Sequence, residues 1–306
     1  MKKILIIKHG SLGDIVFSLP VMHSISKEYP NDEIDILTES KYLNFLGKTN
    51  YFKNFIEDNR SKNILSLISI FKYILSKKYD LIIDLQNSSR TAYYNLFFRI
   101  FANTNISSSR KFAHSRYIIP DQGYESAEQG LFNQIKLINI PAIQNIKYDW
   151  LLQKLEDNFN KKFILFIPGV SKKGMYKQWN PKKFGDLAKY CEKKNYNVCI
   201  VGTMNDYKSV HYILKNCNNV INKIDKSPPE IIYSIAKKAH LIITNDTGPG
   251  HIASLTESNI LWLLNDNNIS KANIKKNSNT YKILENSIDN ITLSNVTAYI
   301  ENNKLL

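Results

Sequence analysis

The sequence predicts an α/β protein made of two doubly wound units. Three observations predict it. Short apolar runs bounded by polar turns, such as "KILIIK" (3–8) and "FILFIP" (163–168), have the length and character of strands buried on both faces. Longer segments of helical period separate these runs, the order that builds a parallel sheet covered by helices. The rhythm fades between about 103 and 160 and then restarts, in a chain whose 306 residues suit two domains better than one.

Taken in order, "KILIIK" is the first strand. A helix follows from about Asp14, with Val16, Leu19, Val21, Met22 and Ile25 as its apolar positions. "IDILT" (34–38) and the weaker "NFIED" (54–58) read as strands. "ILSLISIFKYILSKK" (64–78) is an amphipathic helix whose terminal lysines suit the negative end of the helix dipole. "DLIIDLQ" (80–86) is a strong strand, and "RTAYYNLFFRIFA" (90–102) a helix with an aromatic face suited to packing on a sheet. The stretch from 103 is polar and basic, 124–140 reads as a helix, and the linker falls near 141–160. These signals place the domains at 1–150 and 151–306, with the final helix a candidate to pack back on the first.

In the second half, strands are expected at 163–168, 196–202, 240–244 and 259–264. Helices are expected at 181–194, opened by Pro181, at 206–216 and at 227–239, opened by a serine and prolines. A short helix begins near Pro249, and 293–303 forms the last one. Ligands of such sheets bind beyond the carboxyl ends of the strands, so a cleft between the units is the expected site.

The net charge of +14 favours an anionic partner, such as nucleic acid, a phosphorylated small molecule or an anionic membrane surface. A lysine-rich solvated surface accounts for the same charge. Nucleic acid ranks low, because the chain has no finger spacing, dense arginine stripe or RNA-binding aromatic signature. Cys191, Cys199 and Cys217 lack C-x-x-C spacing and read as buried thiols in a reducing compartment. No apolar run approaches the roughly 20 residues of a membrane span. The opening "MKKILIIKHGSLGD" reads as a strand and glycine turn rather than a leader, so a cytoplasmic location is expected.

Three stretches carry candidate chemistry. In "KHGSLGDIVFSLP" (8–20), Gly10 and Gly13 bracket a tight turn into a helix whose first amides can face an anion. Asp14 heads that helix, and reads either as its cap or as a catalytic base. The G-x-x-G spacing is a poor dinucleotide fingerprint, although Glu39 keeps a nicotinamide cofactor open as a minor alternative. In "PGVSKKGMYKQWNPKKF" (168–184), Lys172, Lys173 and Lys177 lie in a loop at a strand mouth. Each alone is ordinary surface chemistry, but together they suit a phosphate. Trp179 reads as packing. In "NDTGPGHIAS" (245–254), Gly248 and Gly250 allow close backbone approach to a ligand, and Pro249 presets the helix without wasting a donor. Asp246 and Thr247 can bond a ligand hydroxyl or the backbone, and His251 points to the same mouth or caps local backbone. A nest of this kind suits a diphosphate. No second His or Cys accompanies His251, so no metal is expected. Arg110, Lys111 and Arg116 form a small basic patch that meets either an anionic acceptor or water.

"GSLGDIVFSLP", the pattern PG-x-S…K-x-W-x-P and "NDTGPGHIA", in that order and spanning most of the chain, resemble glycosyltransferase family 9, the ADP-heptose:lipopolysaccharide heptosyltransferases. The resemblance implies a GT-B fold, two Rossmann-like domains facing a central cleft. It implies inverting, metal-independent transfer of heptose from ADP-heptose to the lipopolysaccharide inner core, with no cofactor. Its implied partners are a nucleotide-sugar donor, a lipopolysaccharide-core or related glycolipid acceptor, and the anionic inner membrane surface as a peripheral contact. By motif, Asp14 is the general base. Lys177 joins it as a catalytic residue, and Gly13, Ser171, Lys177, Asp246, Thr247, Gly248, Gly250 and His251 bind the donor. One departure follows the strand "NILWLL": a Gly-rich loop is usual there, and this chain has "NDNNISKANIKK". A different nucleotide sugar or acceptor, an epimerase and a non-catalytic nucleotide-sugar-binding protein are the alternatives.

Overall fold

A computed structural model of the chain describes residues 1–61, 63–120, 125–156, 159, 161–266, 274 and 278–306. The chain divides into two compact units, Met1–Trp150 and Leu151–Leu306.

The first unit holds β1 (Lys3–Ile7), α1 (Leu12–Glu28), β2 (Glu33–Thr38), α2 (Leu43–Gly47), β3 (Asn54–Glu57), α3 (Ile64–Lys77), β4 (Leu81–Asp84), α4 (Ser89–Phe101), β5 (Asn105–Ser108), β6 (Ser115–Arg116) and α5 (Ala127–Lys136). Its strands pair in the order β3-β2-β1-β4-β5-β6, every pair parallel. Ile4, Leu5, Ile6 and Ile7 are fully buried, as a central strand covered on both faces requires. One layer of helix packs on the sheet through Phe71, Ile74, Tyr94 and Phe98, where Phe71 stacks on Phe97 at 4.4 Å.

The second unit holds β7 (Phe163–Ile167), α6 (Pro181–Lys193), β8 (Asn197–Gly202), α7 (Tyr207–Asn216), β9 (Val220–Ile224), α8 (Pro229–Lys238), β10 (Leu241–Asn245), α9 (Gly248–Ala253), β11 (Ile260–Asn265), β12 (Thr280–Glu285) and α10 (Leu293–Asn302). Its order is β12-β11-β10-β7-β8-β9, again all parallel. Counting strands from the start of each unit, both sheets run 3-2-1-4-5-6, and the order reverses between the first and fourth strands. That reversal opens a crevice at the carboxyl ends of the two strands, the usual ligand position in this architecture. The expected α/β doubly wound class is therefore present twice. The final helix α10 packs on α6 within its own unit, with Val296, Ile300 and Leu305 in that unit's core. Strands β5, β6, β9 and β12, at or next to the sheet edges, were not expected. The described helices include none long and apolar enough to cross a membrane.

Candidate functional site

The predicted site residues collect at the two crevices. In the first unit, β1 delivers Lys8, Gly10 and Asp14, and β4 delivers Leu85, Gln86 and Asn87. Lys8, Asp14, Gln86 and Asn87 line one cavity of about 240 Å³, with Phe17, Tyr117 and Glu125. Sequence spacing left Asp14 as either the cap or a base, and the geometry shows that it is not the N-cap. Ser11 is the N-cap and Asp14 the third helical residue of a capping box. Asp14 Oδ2 accepts from Ser11 N at 2.8 Å and from Ser11 Oγ at 2.9 Å. Its Oδ1 takes no hydrogen bond from the described residues. One oxygen of the carboxylate is thus held in the turn, and the other takes no part in it.

Gly10 permits this arrangement. Its φ of 109° lies where side chains are strained, and a Cβ there would sit 2.7 Å from Asp14 Oδ2. Gly13, the second helical residue, is buried in the same turn. Beneath it lies Lys8, almost fully buried, donating to the Leu85 carbonyl at 3.0 Å. Burial pushes its ammonium pKa down, against the opposing pull of Asp14 and Asp84.

A buried ionic cluster braces this turn. His9 Nε2 lies 3.2 Å from Asp58 Oδ2, and Tyr94 donates its hydroxyl to the same oxygen at 2.7 Å. Burial raises the Asp58 pKa, but contacts from His9 and Tyr94 outweigh it and bring the carboxyl to about 2. An unfolded Asp titrates near 3.9, so the depressed value contributes about 2.6 kcal/mol at neutral pH. That contribution is complete above about pH 4 and is lost as the pH falls through about 2. In acid titrations followed by circular dichroism, Asp58→Asn should remove this dependence between about pH 2 and 4 and lower stability at pH 7 by on the order of 2 kcal/mol.

In the second unit, β7 and β10 flank the crevice. Lys177 ends a short 3-10 helix, Lys172–Lys177, and its Nζ reaches Asp246 Oδ2 at 2.5 Å. Asp246 follows β10, and His251 Nε2 meets its other oxygen at 3.0 Å. Burial raises the Asp246 pKa, while His251 and then Lys177 more than offset this, leaving the carboxyl below the usual range. His251 is buried and packs on Trp262, with ring centroids 5.0 Å apart. The partner of its Nε2 is therefore a carboxylate. The structure sorts the three candidate lysines: Lys177 is built into the site, while Lys172 and Lys173 are exposed. Ser171 is also exposed, at the cap position of the 3-10 helix. Thr247 is the N-cap of α9 and Gly248 its first residue.

Gly250 has a packing role that the sequence did not show. A Cβ there would lie 2.6 Å from Thr244 Oγ1 and 3.1 Å from Trp262, so the glycine lets α9 seat on β10 and β11. Sequence reasoning also missed two asparagines. Buried Asn245 accepts from Trp179 N at 3.1 Å and donates to the Pro168 carbonyl at 2.8 Å. Asn265 Nδ2 holds the Tyr176 carbonyl at 2.9 Å. Together they fix the loop that carries Lys177. A buried polar residue at the last position of an apolar strand was the available signal. Most of "NDNNISKANIKK" lies outside the described residues.

Two Rossmann-like units, each with a polar constellation at its strand-order reversal, define the GT-B class. The model of "Glycosyltransferase family 9 (heptosyltransferase)" matches residues 67–261, and the chain belongs to that family of glycosyltransferases. The chain is 21% identical over 277 residues to the lipopolysaccharide core heptosyltransferase OpsX of Haemophilus influenzae, covering 86% of this chain and 78% of that protein. Its fold matches the ADP-heptose lipopolysaccharide heptosyltransferase II of E. coli with a TM-score of 0.78 at 18% identity, covering 100% and 98% of the two chains. A family 9 glycosyltransferase from Veillonella parvula gives 0.79 at 19% identity, covering 98% and 96%.

Proposed function

We propose that this glycosyltransferase moves a heptose from ADP-heptose to a sugar of the lipopolysaccharide inner core, with inversion and without a metal, on the cytoplasmic face of the inner membrane. The observation that carries this reading is the Asp14 carboxylate: one oxygen is locked in the capping box and the other is unbonded among the described residues, in a carboxylate lining a cavity. Asp14 takes the proton of an acceptor hydroxyl as that oxygen attacks the anomeric carbon. The bond from that carbon to the diphosphate breaks, and ADP leaves with the electron pair. A single displacement of this kind inverts the centre.

The donor is assigned to Ser171, Lys177, Asp246, Thr247, Gly248 and His251, with the Gly13 amide a further contact. Lys177 shares its ammonium between Asp246 and the departing diphosphate. A fixed cation offsets charge that develops on the leaving group, because it needs no reorganisation at the moment of reaction. Asp246, held by His251, orients Lys177 and offers an acceptor to sugar hydroxyls.

A nucleotide panel tests the donor. A ligand at about 100 times its dissociation constant stabilises the folded state by about 2.7 kcal/mol. ADP should therefore raise the melting temperature more than UDP or GDP, and transfer from ADP-heptose should persist in EDTA. A larger shift with UDP or GDP overturns the ADP assignment. Loss of transfer in EDTA, restored by a divalent cation, overturns metal independence.

A further inference from the structure

We propose that the outer face of α3 and α4 is a docking surface for an anionic lipid bilayer, on which the first unit lies with its helices in the interfacial plane. The proposal rests on the glycosyltransferase reading only for its purpose, which is to hold the enzyme beside a membrane-embedded acceptor.

Charge is the first argument. No residue from 59 to 79 or from 85 to 120 is acidic, and ten of them are Lys or Arg. These two segments contain α3 and α4. Several of the cations are not consumed by carboxylates. Arg99 directs its guanidinium to the carbonyls of Phe112 and Ala113, and Arg110 to that of Asn87. Lys72 is exposed on α3.

Exposure of apolar side chains is the second. Ile64 and Leu65, in the first turn of α3, are 68% and 72% exposed, and Ile68 one turn later is 43% exposed. On α4, Tyr93, Ile100 and Phe101 are 72%, 63% and 62% exposed. Further along α3, Phe71 and Ile74 are spent on the core. A helix whose apolar residues extend beyond those it buries, with lysine beside them, has more apolar surface than one sheet can cover.

Geometry is the third. Stacking of Phe71 on Phe97 makes α3 and α4 neighbours, so their exposed residues belong to one two-helix face. Arg90, in the first turn of α4, bonds the carbonyl of Ser61 just before α3, so both helices begin at the same edge of the sheet. That edge is the one where the strands end and Asp14 sits. Aliphatic and aromatic side chains entering the acyl boundary, with cations at headgroup level, are the chemistry of an interfacial contact rather than a span.

The test is vesicle co-sedimentation of the whole protein. Vesicles of phosphatidylcholine with 30 mol % phosphatidylglycerol serve as the probe, and pure phosphatidylcholine as the control. Wild type should bind the anionic vesicles, more weakly as salt rises. The variant Ile64→Ser/Leu65→Ser/Ile68→Ser should lose on the order of 100-fold in partitioning. Lys72→Gln should lose about five-fold. Both variants should keep wild-type melting temperature and ADP affinity, since these side chains are exposed. Wild type that does not bind anionic vesicles, or a triple variant that binds as well as wild type, overturns the proposal. So does wild type that dimerises through this face, the triple variant being monomeric and neither binding vesicles. Vesicle binding without sugar transfer would instead count against the proposed function and leave the docking surface standing.

Discussion

Asp14→Asn should lower turnover by on the order of 10²–10⁴-fold while leaving donor affinity unchanged. The carboxylate is the group that takes the acceptor proton, and an amide cannot take it. The substitution is nearly silent for the fold, because the amide oxygen of Asn can still accept from Ser11 N–H, where Asp14 Oδ2 now accepts at 2.8 Å. The loss in cap strength is then a few tenths to about 1 kcal/mol, from the missing charge at the helix N-terminus. Apart from the Gly13 amide, which the substitution leaves in place, the donor contacts of this reading lie in the second unit, so the ADP dissociation constant serves as an internal control. Steady-state transfer assays and calorimetric ADP titrations on the same preparation decide the matter. A variant that retains turnover to within about ten-fold would remove Asp14 from the role of base. One that loses turnover and melting temperature together would make the effect structural.

The central strands were legible because physics writes them plainly. A strand covered on both faces must be apolar along its length, and β1, β4, β7 and β10 are. The strands at or next to the sheet edges carry no such obligation. β5 is "NISS" and β9 is "VINKI", sequences that read as loop or turn until neighbouring strands supply their pairing. β6 is two residues long, and β12 is only partly buried along its length. The same division runs through the site. Lys177, Asp246 and His251 were visible because motif and spacing flagged them, although their mutual contacts were not. His9 gave no signal, since its partner Asp58 comes from the end of a different strand and no local spacing encodes that meeting. Gly250 carries a packing demand that the sequence hid. A glycine at a ligand-facing turn and a glycine seating a helix on a sheet look alike in sequence, and only the approach of Thr244 and Trp262 separates them.

Trp179 is where fold and site depend on the same side chain. It is fully buried, packs edge-on against Phe184 at 5.0 Å, and donates its indole N–H to the Ile291 carbonyl at 2.8 Å. Its backbone N–H meets Asn245 at the end of β10, two residues after Lys177 and one before Asp246. Truncation should therefore act twice. Trp179→Ala should cost about 3–5 kcal/mol, through lost burial and a cavity the surrounding helices cannot fill. It should also loosen the Lys177–Asp246 contact and weaken ADP binding beyond what unfolding explains. Trp179→Phe separates the two effects. It keeps most of the apolar volume and should cost under about 1.5 kcal/mol. The Ile291 carbonyl is not orphaned by that change, because Lys183 Nζ also donates to it, at 2.7 Å. Denaturant unfolding gives the stability difference, and ADP titration well below the melting point gives the site. If Trp179→Ala binds ADP like wild type once corrected for the unfolded fraction, the tryptophan is packing alone. The loop carrying Lys177 is then held by Asn245 and Asn265 without it.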